Sequence, residues 1–141
     1  MKPTFVLFLL VLLTGPGCTE SSAPAGPALP ENTVTLTFTD VTGEQANLLL
    51  TNTTETPVYY LGFGKEHPLK KVEVLTDTGW CAVLWDWCGT GAELQEVPSH
   101  SSAVIIAPAQ RHNIKTRVAF SITHAPDGAY EVLTSDEFIV P

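Results

Sequence analysis

The sequence is short of positive charge. It carries 7 Lys and Arg against 15 Asp and Glu, a formal net charge of −8. Binding nucleic acid needs a basic footprint to displace counterions from phosphates. Electrostatic docking to anionic lipid needs the same, so neither class of partner fits this chain. Methionine occurs only as Met1, which leaves a blue-copper centre without its usual axial ligand. The longest apolar run covers residues 5–13, whereas a membrane-spanning helix needs about 20 apolar residues. No segment keeps a 3.6-residue hydrophobic period over three turns, which excludes a helical bundle. The chain also lacks G-x-S-x-G, H-E-x-x-H and a calcium-loop pattern, the local signatures of common hydrolases and metal sites. Its 141 residues suit one domain.

What the N-terminus does contain is an address. Lys2 precedes the apolar run 5–13, and Gly15, Pro16, Gly17 and Cys18 follow it. A positive residue, a short apolar stretch and small residues are the parts of a secretory signal. Small residues just before a Cys resemble the lipobox of bacterial lipoproteins. Gly17 fits that pattern, while Gly15 and Pro16 depart from its commonest form. The resemblance implies that Cys18 becomes a lipidated N-terminus, with at least two acyl chains holding the protein on a membrane. Plain secretion, with cleavage near Ala23-Pro24-Ala25, is the alternative. Residues 19–32 are rich in Ser, Ala, Pro and Gly and cannot pack a core, so they read as a tether. The expected organisation is a signal peptide at 1–17, a lipid-bearing Cys and tether at 18–32, and one folded domain at 33–141. The expected location is the cell envelope, with the domain in the periplasm or at the cell surface.

Three cysteines are an odd number for an exported chain. Lipidation of Cys18 would leave Cys81 and Cys88 to pair in an oxidising compartment. Such a bridge would contribute about 2.5 kcal/mol. It requires the chain to reverse inside 82–87, because bridged Cα atoms sit only about 4.4–6.8 Å apart. The alternative is a pair of free thiols.

The rest of the chain reads as strands. Residues 33–39 alternate Val34, Leu36 and Phe38 with threonines, and 117–123 alternate Val118, Phe120 and Ile122 with small or polar residues. Segments 45–52, 57–63, 70–76, 80–85 and 103–107 are short and apolar, and 130–133 and 137–140 finish the chain. Turn chemistry separates them, as at Pro126-Asp127-Gly128. Eight or so short strands of this kind indicate an all-β fold. Segment 47–52 leads through a polar turn into Pro57-Val58-Tyr59. The run 87–91 reads Trp-Cys-Gly-Thr-Gly, and 117–122 is followed by a final strand at 135–140. These features resemble the immunoglobulin-like sandwiches of uncharacterised bacterial envelope proteins. The resemblance implies a single antiparallel β-sandwich of about 7–8 strands in the envelope, and implies no activity or cofactor. The widely spaced Cys pair of antibody domains is absent.

The aromatic cluster is the main candidate for function. Trp80, Trp85 and Trp87 are all the tryptophans of the chain. If 80–91 projects as a loop, the indoles could stack on a sugar ring or hold a partner's apolar side chain, with Asp86 as an acceptor. Alternatively they pack against the small disulfide and close one end of the sandwich. His67, His100, His112 and His124 lie near turns, at spacings that match no zinc pattern. They read as solvated loop residues with no metal site. The leading expectation is therefore a non-catalytic binding or structural module, serving an envelope protein or polysaccharide. A small metal-handling or hydrolytic accessory protein using the loop histidines is the competing class. It requires at least two histidines, or His with Asp or Glu, to converge.

Overall fold

The computed structural model describes residues 32–86, 88–110 and 113–140. The leader, Cys18, the tether to residue 31, Trp87 and His112 lie outside the described residues. The described chain forms ten strands and no helix, all paired antiparallel. The all-β antiparallel sandwich expected from the alternation is what folds.

One layer holds β1 (Val34–Thr42), β2 (Gln45–Asn52) and β7 (Ser101–Pro108), in the order β1-β2-β7. A two-residue turn links β1 to β2, since Thr42 pairs with Gln45. Gly43 takes φ +61° there, a left-handed value that a Cβ would strain. The other layer is built on β8 (Lys115–Ile122). On one side, β4 (Lys70–Thr76) pairs with β8, and β5 (Gly79–Trp85) pairs with β4. On the other side, β9 (Glu131–Thr134) pairs with the second half of β8 and β10 (Phe138–Ile139) with its start.

The remaining pair is β3 (Val58–Gly62) and β6 (Glu93–Val97). It continues the second layer, because Tyr59 and Thr123 exchange backbone hydrogen bonds of 2.8 and 2.9 Å. Along the edge of β8, β4 is thus succeeded by β3. Between them the chain makes a tight excursion over 63–69, closed by Leu69 N–H donating to Leu61 O at 2.8 Å. At Gly62 an added Cβ would lie 2.7 Å from His67 O, so the excursion tolerates no side chain there.

Alternation puts Leu36, Leu48, Leu50 and Ile105 on the inner face of the first layer. Val58, Tyr60, Val72, Val118, Phe120 and Ile122 face them from the second. Tyr60 is fully buried, meets Phe120 edge-on with centroids 5.5 Å apart, and donates its hydroxyl proton to Lys65 O. Burial pushes its pKa up to about 12. Phe38 stacks on Phe138 at 4.3 Å, which ties β1 to β10. Asn52 is a buried polar group with its hydrogen bonds made. Its amide donates to Thr56 O, Pro98 O and Val97 O at 2.9, 3.0 and 3.2 Å. Its carbonyl accepts from Thr54 N and Thr54 Oγ1 at 3.0 and 2.7 Å. One side chain thus locks the β2–β3 turn to the β6–β7 corner.

Three differences from the sequence reading have physical causes. Strand β6 was not expected: Leu94 and Val97 are its apolar residues and lie on opposite faces, so no alternation marks it. The final strand expected over 135–140 is cut to Phe138–Ile139, because Ser135 Oγ accepts from Val118 N at 3.0 Å in place of a ladder bond. The Cys81–Cys88 bridge is absent. Residues 81–85 continue as one strand, β5, so the reversal it needs does not occur within them, and both thiols are free and exposed. Cys81 Sγ instead lies 3.5 Å from Thr76 Oγ1.

Candidate functional site

Trp80 and Trp85 do not project on a loop as expected. Trp80 and Trp85 are both on β5, at opposite ends of its ladder with β4, opposite Leu75 and Lys71 respectively. Both belong to the outward face of the five-stranded sheet, and their surroundings differ.

Trp80 is partly buried and sits under the Arg117 guanidinium, whose Cζ is 4.2 Å from the ring centroid. Arg117 Nε donates to Glu73 Oε2 at 2.7 Å, and Lys71 Nζ lies 2.6 Å from Glu73 Oε1. Burial alone would raise the Glu73 pKa. The hydrogen bonds and charges of Lys71 and Arg117 outweigh it and hold the carboxyl below its ordinary value. Trp80 therefore belongs to a closed network spanning β4, β5 and β8. It packs under Arg117 on the outer face of the sheet, not against a disulfide at one end of the sandwich.

Trp85 is 68 % exposed. A bulge next to it, where Val83 is skipped in the register with β4, re-aims the end of the strand. It borders a cleft of about 410 Å³ with Leu61, Leu69, Asp86, Ser121 and Tyr130. A second hollow of about 220 Å³ adjoins it, sharing Leu69, Trp85 and Ser121 and adding Ala119 and Val132. The cleft lies where β4 gives way to β3 beside β8, because the excursion over 63–69 interrupts the row of outward side chains. Tyr130 is 49 % exposed and Val132 69 %. Leu61 and Leu94, register partners, are also exposed. Together these side chains form a contiguous exposed apolar surface, the candidate site among the described residues.

Asp86 is not the open acceptor expected of it. Its carboxylate is 3.3 Å from the Nζ of Lys70, a side chain only 7 % exposed. Its backbone N–H donates to Lys70 O at 2.9 Å. Asp86 thus neutralises a buried ammonium and pins the end of β5 to the start of β4. Of the expected loop, Trp85 lines the cleft, Asp86 supports it, Trp80 packs elsewhere and Trp87 lies outside the described residues. Leu61, Leu69, Tyr130 and Val132 were not anticipated. They come from separate segments that only the topology brings together.

None of the described histidines lines the cleft, although His124 reaches Glu131 on its rim. His100 Nε2 is 3.3 Å from Glu55, and His124 Nε2 is 3.2 Å from Glu131. Among the described residues no three His, Cys, Asp or Glu form a group able to hold a metal. Comparisons with protein-family models, curated proteins and solved structures return no match.

Proposed function

We propose that this chain is an exported, lipid-anchored envelope protein whose β-sandwich acts as a non-catalytic docking module. The outer cleft at Trp85 and Tyr130 is its binding surface. The exposed apolar cleft carries this reading: its lining binds by buried area and shape rather than by moving protons. The anchor reading is supported by the apolar run 5–13, the small residues before Cys18 and the tether that follows. The tether would let the domain reach partners a few nanometres from the membrane, at about 3.1 Å per residue.

Two experiments test the two halves. Cys18→Ser should abolish acyl labelling and release the protein from membranes; unchanged membrane retention contradicts the anchor. Cross-linking in intact cells, compared between the native chain and Trp85→Ala/Tyr130→Ala, should lose its principal adduct in the double variant. An unaltered adduct pattern removes the cleft from the account.

A further inference from the structure

The chemistry of the cleft narrows the partner, an inference that rests on the docking reading above. We propose that it takes a polypeptide segment, with an apolar side chain inserted between Trp85 and Tyr130 and flanking Lys or Arg residues over an acidic rim.

The walls favour an apolar side chain over a sugar. Leu61, Leu69 and Val132 line the two hollows beside the aromatics. A saccharide would set hydroxyls against these aliphatic groups and strand them without partners. Apart from Lys71, the polar side chains that line the hollows offer little in return. Asp86 and Lys70 are held by each other, which leaves the hydroxyls of Ser121 and Tyr130. An aliphatic or aromatic side chain loses nothing there and buries area against Trp85 and Tyr130.

The charges select the flanks. Glu131 lies between Tyr130 and Val132 on the rim and is exposed, beside His124. Asp127 lies in the turn before Tyr130, and Glu96 is two residues beyond Leu94 on β6; both are exposed. The nearby cations are engaged: Lys70 with Asp86, Lys71 and Arg117 with Glu73. On a chain of net charge −8, this rim repels acidic segments and speeds encounter with basic ones.

The test uses the full chain in neutral-lipid nanodiscs, labelled with 5-fluorotryptophan and followed by fluorine NMR. Trp80→Phe and Trp85→Phe assign the resonances. The probes are a short capped peptide alternating Lys with Leu around a central Trp, the same peptide with Glu for Lys, and a neutral β-1,4-linked N-acetylglucosamine oligomer. The Lys peptide should shift the Trp85 resonance saturably and leave Trp80 unmoved. Trp85 is silent once replaced, so Tyr130→Ala in the labelled chain should weaken the response about tenfold, a loss of about 1.4 kcal/mol. Glu96→Gln/Glu131→Gln should weaken it about threefold and flatten its salt dependence. The Glu peptide should bind more weakly than either. A Trp85 shift with the oligomer and none with the Lys peptide overturns the polypeptide proposal and leaves the docking reading standing. Equal binding of the Lys and Glu peptides overturns the charge selection. No Trp85 response to any probe overturns the proposal; the docking reading then also falls if the cellular cross-links are unaltered by Trp85→Ala/Tyr130→Ala.

Discussion

The two outer faces of the sandwich are built on the same strand geometry and present opposite chemistry. On the β1-β2-β7 layer the outward residues are largely polar, as at Thr35, Thr37, Asp40, Gln45, Asn47, Thr51 and Ser102. Thr35, Thr51 and Ser102 lie across the three strands in register, and Ser102 Oγ donates to Thr51 Oγ1 at 3.3 Å. Leu49 and Val104, neighbours in the next row, are its exposed apolar pair. On the β8 layer the outward face carries a closed charge network under Trp80, then an open cleft edged by Trp85, Tyr130 and Val132. That pair borders a hollow of about 330 Å³ shared with Thr39, Asp40 and Asn47, whereas the cleft on the other layer is edged by two aromatics. The proposed division places stability in the interior and its corners, and recognition at one end of one outer face.

Substitutions can break that division. The largest expected effect is at Asn52. Asn52→Leu takes a partner from the carbonyls of Val97 and Pro98 and from Thr54 N, so we expect a loss of about 3–4 kcal/mol in urea unfolding. A loss below about 1 kcal/mol would show that the corner holds without it. Next is Glu73→Gln, expected to cost about 2 kcal/mol at neutral pH because it replaces charge-assisted hydrogen bonds with weaker ones. The folded pKa of Glu73 is lowered, so its contribution is present above the unfolded carboxyl value of about 4.3. It is lost as pH falls through the folded value. The gap between native and variant proteins should therefore be widest above about pH 5 and close on acidification. A gap that widens in acid would reverse the assignment.

The two tryptophans sharpen the contrast at smaller magnitude. Trp80→Ala removes a partly buried ring and its contact with Arg117, for an expected cost of about 1–2 kcal/mol. Trp85→Ala should change stability by no more than about 0.5 kcal/mol while it impairs binding. If Trp85→Ala proves as destabilising as Trp80→Ala, Trp85 is a packing residue and the two ends of the face are alike.

The sequence made much of the sandwich legible and little of the site. Alternation in β1 and β8 identified Leu36, Val118, Phe120 and Ile122 as core-facing, because one face of each strand is buried, whereas the consecutive Leu48, Leu49 and Leu50 of β2 mark an apolar strand without showing which face is buried. β6 escaped because Leu94 faces out and Val97 in. Trp85 stood out as a residue type, and its exposure did not, since that depends on the Val83 bulge and on the handover from β4 to β3. Leu61, Leu69, Ser121 and Tyr130 are distant in sequence, and no local pattern announces their meeting. Cys81 and Cys88 read as a pair because lipidation of Cys18 would leave an even number; β5 continues through Trp85 without reversing, and both thiols are free.

The division between the two faces can be tested most directly with a photo-crosslinking amino acid placed at Val132, on the cleft rim, or at Val104, on the polar face, in intact cells. The account predicts a discrete adduct from position 132 that Trp85→Ala diminishes, and none from position 104. An adduct from position 104 alone, or equal adducts from both positions, would contradict it.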